Sequence, residues 1–80
     1  MRARLRASGS AQRRRIVVRS WEESRGMWRA EVVRDSEPGG STLGWYADSA
    51  VSPDRAFGML RLDIIEQKGS DGVEFVHNPD

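Results

Sequence analysis

The chain has no cysteine, a single histidine and no long apolar run. The first absence removes disulfides and thiolate metal sites as supports for a small core, and removes any thiol nucleophile. The lone histidine, His77, stands near the end of the sequence, where it reads as a polar surface group. No apolar stretch approaches the roughly 20 residues that cross a bilayer as a helix. The first residues carry arginines with no apolar stretch behind them, so a secretory leader is not expected. Together these features suit a cytoplasmic protein. No glycine-rich phosphate loop is present, because Pro38-Gly39-Gly40 lacks the spacing and the lysine. Asp63 and Glu66 lie one helical turn apart with no histidine beside them, which does not make a metal site. Without a nucleophile–base pair, catalysis is not expected. No catalytic residue, cofactor or metal is assigned.

What is present divides sharply by charge. Residues 1–15 hold six arginines (Arg2, Arg4, Arg6, Arg13, Arg14, Arg15) and no acid. The other 65 residues hold seven basic residues against all twelve acids, a net of −5. Ordering the basic segment costs about 1–2 kcal/mol per residue in backbone entropy, and its few apolar residues offset little of that. Residues 1–14 therefore read as a flexible arm, 15–77 as one small domain and 78–80 as a tail. Binding of nucleic acid through the six arginines is one functional reading of the arm. A solvated tail, an artefact of start-site choice, and contact with the chain's own acidic body are others. The arginine-rich, acid-free composition also fits an organellar transit peptide, for which fifteen residues is short.

From residue 15 the apolar pattern has a period of two. In "RIVVRSW" (15–21), Ile16, Val18 and Ser20 share one face, and Val17, Arg19 and Trp21 the other. In "MWRAEVVR" (27–34), Trp28, Ala30 and Val32 oppose Met27, Arg29, Glu31 and Val33. A short connection ending in Gly26 predicts an antiparallel hairpin. "DSEPGGS" (35–41) is a loop. "TLGWYADSA" (42–50) predicts a third strand, with Leu43, Trp45 and Ala47 on one side and Gly44, Tyr46 and Asp48 on the other. "VEFVH" (73–77) predicts a last short strand.

Between these strands, "SPDRAFGMLRLDIIEQKG" (52–69) carries both ends of a helix. Ser52 is an N-cap held extended by the following proline, Pro53 fills the first helical position, and Gly69 suits a left-handed stop. Asp54 and Lys68 complement the helix dipole. At about 100° per residue, Ala56, Phe57, Leu60 and Ile64 form a stripe that predicts packing on Ile16, Val18, Trp28, Val32 and Trp45. Leu62 and Ile65, with Gly58, fall on the far side and form a second apolar stripe.

The fold class is thus α+β, a three- to four-stranded antiparallel-type sheet in the order β-β-β-α-β with one helix on one face. One helix cannot cover both faces of a sheet. The open face would carry Trp21, Arg29 and Tyr46, residue types enriched in protein interfaces. Trp21, Arg29, Tyr46, Leu62 and Ile65 are therefore the candidate protein-interface residues, for a protein partner or a homodimer. Arginines beside exposed rings also suit single-stranded nucleic acid, but the net charge of the body opposes phosphate.

The segments "MWRAEVV" (27–33), "EPGG" (37–40) and "SPDRAFGMLRLDII" (52–65) resemble the N-terminal domain of HicB-like antitoxins. Ser52-Pro53-Asp54 and Ala56 stand where that family opens its helix, whereas its proline-rich segment is reduced here to Pro38-Gly39-Gly40. The resemblance spans roughly residues 15–77. It implies a small αβ domain of partial RNase H-like topology that neutralises a small toxic ribonuclease by protein contact. A double-stranded RNA-binding domain needs an N-terminal helix and a lysine-rich final helix, and neither is present in the pattern.

Overall fold

In the computed structural model, which describes residues 13–79, the two alternating runs pair as expected. Strand β1 (Arg14–Ser24) and strand β2 (Met27–Asp35) form an antiparallel hairpin. The reversal is tighter than "EESRG" suggests, with only Arg25 and Gly26 outside the strands. Glu22 extends the first strand by accepting the Gly26 N–H at 2.9 Å. Strand β3 (Tyr46–Ser49) pairs antiparallel with β2. Helix α1 (Pro53–Lys68) then crosses the sheet, and strand β4 (Val73–His77) returns parallel to β1. The sheet order is β3-β2-β1-β4, so the fold is α+β with a mixed, mostly antiparallel sheet.

Helix α1 ends where its sequence says it should. Ser52 is extended, and its Oγ accepts from the Arg55 N–H at 3.0 Å. Gly69 has φ of 86° and donates its N–H to the Ile65 carbonyl at 2.8 Å. The helix packs on β1, β2 and β3. Ile16, Val18, Ala30, Val32, Ala56, Leu60 and Ile64 are sealed between the layers. Trp28, Trp45, Ala47, Phe57, Val73 and Phe75 close the edges of this core. Each large side chain buried here contributes on the order of 1.5–3 kcal/mol. No helix among the described residues is long and apolar enough to cross a membrane.

The third strand is shorter than 42–50, and one expected core residue moves out. Residues 41–44 form turns. Thr42 is fully buried, whereas Leu43 is 53% exposed on the opposite side from Trp45 and Ala47. Strand alternation cannot hold through a turn. Two ladder-like bonds still tie this segment to β2: Gly44 N–H to the Val32 carbonyl, and Val32 N–H to the Trp45 carbonyl.

One extra residue in β2 sets up the strongest polar contact. Val17 is the partner of Arg34 and Val18 the partner of Val32, so Val33 is a β-bulge. Past the bulge the facing of side chains switches. Asp35, which strict alternation from Val33 would turn outward, instead pairs with buried Ile16 and has a fully buried carboxylate. That carboxylate accepts from Arg14 Nε at 3.0 Å and Nη2 at 2.7 Å. It also accepts from Thr42 Oγ1 at 2.6 Å, Thr42 N at 3.1 Å and Glu37 N at 3.0 Å. The Arg14 fork, then the Thr42 and Glu37 donors, hold the Asp35 carboxyl well below the usual carboxylate range. Strand β1 begins with Arg14 itself, one residue inside the segment read as an arm.

Removing a partner from a buried ion pair leaves the other uncompensated, so Asp35→Ala should destabilise the fold by about 3–5 kcal/mol in urea unfolding. Because the folded-state pKa of Asp35 lies below its unfolded value, its contribution is present above the usual carboxylate range and is lost as pH falls through it. The urea midpoint of the native chain should therefore drop more between about pH 5 and about pH 2.5 than that of Asp35→Asn. Equal slopes would show that Asp35 is not the responsible group.

Candidate functional site

With α1 on one face, the other face of the sheet stands open. It carries Arg15, Val17, Arg19 and Trp21 from β1, and Met27, Arg29, Glu31, Val33 and Arg34 from β2. Strand β3 adds Tyr46 and Asp48. Strand β4 adds Glu74 and Val76, the partners of Arg15 and Val17. Trp21 is 41% exposed and Tyr46 is 54% exposed. The registers place Trp21, Arg29 and Asp48 in one row across the strands, and Arg19, Glu31 and Tyr46 in the next.

Arg29 is committed within this face. Its Nε and Nη2 grip the two Asp48 oxygens at 2.8 and 3.1 Å, and its Nη1 lies 3.1 Å from Glu23. The same guanidinium sits 4.0 Å from the centre of the Tyr46 ring. Hydrogen bonding to Asp48 holds the Arg29 pKa above its ordinary value and the Asp48 pKa below it. The arginine therefore positions Tyr46 as much as it presents charge.

Further along the face lies an open depression lined by Arg15, Val17, Arg19, Val33, Arg34 and Leu43, together with Asp35, Ser36 and Pro79. Arg19 donates to the Pro79 carbonyl at 2.8 Å. The sequence pattern places Val17, Arg19 and Val33 on this face, but not Arg34 or Leu43. Arg34 is turned outward by the Val33 bulge, Leu43 is displaced by the preceding turns, and Val33 carries no neighbouring glycine to announce a bulge.

The second predicted stripe is on a different surface. Leu62 is 59% exposed on α1 beside the exposed Met59, while Ile65 is half-buried. The helix lies on the core side of the sheet, so Leu62 and Ile65 cannot share one contact patch with Trp21, Arg29 and Tyr46. Of the arginines assigned to the nucleic-acid reading, Arg2, Arg4 and Arg6 lie outside the described residues. Arg14 is absorbed by Asp35 and Glu37, which hold its pKa above its ordinary value, the Asp35 hydrogen bond foremost. Arg13 is exposed, and Arg15 lines the depression.

His77 is not the solvated end residue that its position suggests. Parallel pairing sets it beside Val18, and its ring stacks on Phe57 at 4.2 Å and 5°. Its Nε2 lies 2.8 Å from Ser20 Oγ and its Nδ1 lies 3.7 Å from Asp54 Oδ1. The order serine–histidine–aspartate invites comparison with a hydrolytic triad. The surroundings oppose that chemistry. The Ser20 N–H donates to Asn78 Oδ1 at 2.8 Å, and Asn78 Nδ2 donates to Ser20 Oγ at 3.0 Å. The serine amide is thus not free to stabilise an oxyanion. Asp54 is almost wholly exposed and too distant to fix the imidazole. The cluster is a clasp that fastens the end of β4 to the middle of β1.

Comparison with family models, with curated proteins and with solved structures returned no match.

Hydrolysis of p-nitrophenyl acetate should proceed at the same rate with the native chain and with Ser20→Ala. The substitution should instead lower stability to urea by about 1 kcal/mol, the net worth of a typical hydrogen bond. A serine-dependent rate would overturn the clasp reading.

Proposed function

We propose that this chain is a non-catalytic binding module that docks a protein partner on the open face of its sheet. The observation that carries the reading is the coexistence, on that one face, of exposed Trp21, Val33, Leu43 and Tyr46 with a frame of arginines. The opposite face has its apolar residues sealed under α1. A central aromatic or aliphatic anchor with a polar surround is the pattern that concentrates binding energy in protein interfaces. The arginine clamp on Tyr46 adds to this by holding the ring in place before a partner arrives, which reduces the ordering cost of association.

Neutralisation of a small toxin, in the manner implied by the resemblance to HicB-like antitoxins, is a finer form of the same proposal. A single crossover helix followed by a strand parallel to the first is compatible with the αβ domain implied there. A second copy of the chain is the other protein partner consistent with an open face. Nucleic-acid binding through the arginines of residues 1–15 is the rival reading, and Arg15 at the edge of the depression is the observation that favours it.

Trp21→Asp with Tyr46→Asp should leave the far-ultraviolet circular dichroism unchanged and abolish capture of a protein that the native chain retains from its host. Leu62→Asp should fold and capture that protein as the native chain does. Undiminished capture by the Trp21 and Tyr46 variant would remove the sheet face from the interface. Loss of capture with Leu62→Asp alone would move the interface to the helix.

A further inference from the structure

The three arginines of the depression stand at regular intervals. Arg15 and Arg19 lie two residues to either side of Val17 on β1, so all three side chains leave the same face. At ~3.3 Å per residue, the two arginines are ~13 Å apart along the strand. Arg34 stands directly across from Val17 on β2. Val17, Val33 and Leu43 form an apolar floor between them. Among the described residues, no carboxylate lies within 4.0 Å of any of the three guanidinium groups. The one acid in the lining, Asp35, has its oxygens taken by Arg14, Thr42 and Glu37.

We infer that this depression receives an extended acidic segment of the protein partner, with the pattern acid–x–apolar–x–acid. The inference rests on the docking-face reading above and names the chemistry of what docks. Residues i and i+4 of an extended chain are separated by the same ~13 Å as Arg15 and Arg19, and both point to one side with residue i+2 between them. The apolar side chain at i+2 then meets Val17, Val33 and Leu43, while the two carboxylates meet Arg15 and Arg19. Arg34 flanks the centre and can reach either carboxylate. Guanidinium–carboxylate bonds are charge-assisted and planar, which makes this spacing selective as well as attractive.

A nucleic-acid strand fits the same surface less well. Glu31 stands between Arg19 and Tyr46 in their cross-strand row, and Glu74 pairs with Arg15. A phosphate chain running from the arginines to the rings would pass over a carboxylate. The floor beside the arginines is aliphatic, and one face of Tyr46 is covered by Arg29, so the stacking surface for bases is reduced to Trp21 and the other face of Tyr46, outside the depression. Glu74 and Glu31 act on a peptide carboxylate at Arg15 or Arg19 as they do on a phosphate there. A peptide, however, carries charge only at the two ends of its five-residue frame, whereas a phosphate chain carries it at every step.

The test is an amide-resolved NMR titration of the full chain with blocked peptides and with oligothymidylate. The blocked peptide Glu-Ser-Val-Ser-Glu should shift the amides of Val17, Arg19, Val33 and Arg34. It should bind about tenfold more tightly than its isomer Glu-Glu-Val-Ser-Ser, a difference of about 1.4 kcal/mol. The isomer has the same charge, so it controls for general attraction to the arginines outside the depression. Arg15→Glu with Arg19→Glu should erase the preference between isomers. Equal affinity for the two isomers would overturn the acidic-segment inference while leaving the docking face to be judged by its Trp21 and Tyr46 variants. Tighter binding of oligothymidylate with shifts at those same four amides would overturn it in favour of nucleic acid.

Discussion

The Asp35 carboxylate is the constraint around which the polar architecture is arranged. It gathers the start of β1 through Arg14, the 36–41 loop through Glu37 and the approach to β3 through Thr42. A charge with no solvent exposure is tolerable only because every direction of approach is filled by a donor. The Val33 bulge makes this possible by turning Asp35 toward the core side. The same bulge turns Arg34 outward. One inserted residue thus supplies both the buried anchor and a member of the arginine frame on the open face.

The distribution of charge alters what the net value of the body implies. Its −5 suggests a surface that repels phosphate, yet the acids are not evenly spread. Asp35, Glu37, Asp48 and Glu23 are spent on Arg14 and Arg29. Asp54, Asp63 and Glu66 belong to the helix layer. What remains on the open face beside three arginines is Glu31 and Glu74, each set across from one of them. Local alternation of sign, rather than bulk charge, is what an incoming chain encounters there. Such patterning governs register and choice of partner more than raw affinity.

Much of this was legible in the sequence, and the exceptions share a cause. The helix was readable at both ends because Ser52, Pro53 and Gly69 act through local backbone chemistry. The hairpin faces were readable because alternation needs no partner to be known, and it put Trp21, Arg29 and Tyr46 on the face opposite Ile16, Val18 and Val32. The bulge was not readable, since "VVRD" contains no residue that demands one. Leu43 departs from strand periodicity because residues 41–44 turn and bring Thr42 to Asp35. The setting of His77 depended on the parallel pairing of β4 with β1, a contact across nearly the whole domain. Features that are decided by nearest neighbours could be read, and features that are decided by distant segments could not.

The parallel pairing of β4 also orders events during synthesis. β1 is made before the helix, whereas the strand that covers one of its edges follows the helix. Until that strand emerges, the hairpin partner satisfies one edge of β1 and the other keeps its amide and carbonyl groups bare. Closing that gap requires contacts between residues such as Arg14 and Gly72 or Val18 and Asn78. Contacts of such long separation form slowly, and an uncovered edge in the meantime is open to pairing with other chains. The clasp of Ser20, His77 and Asn78 joins the two strands only once β4 is in place.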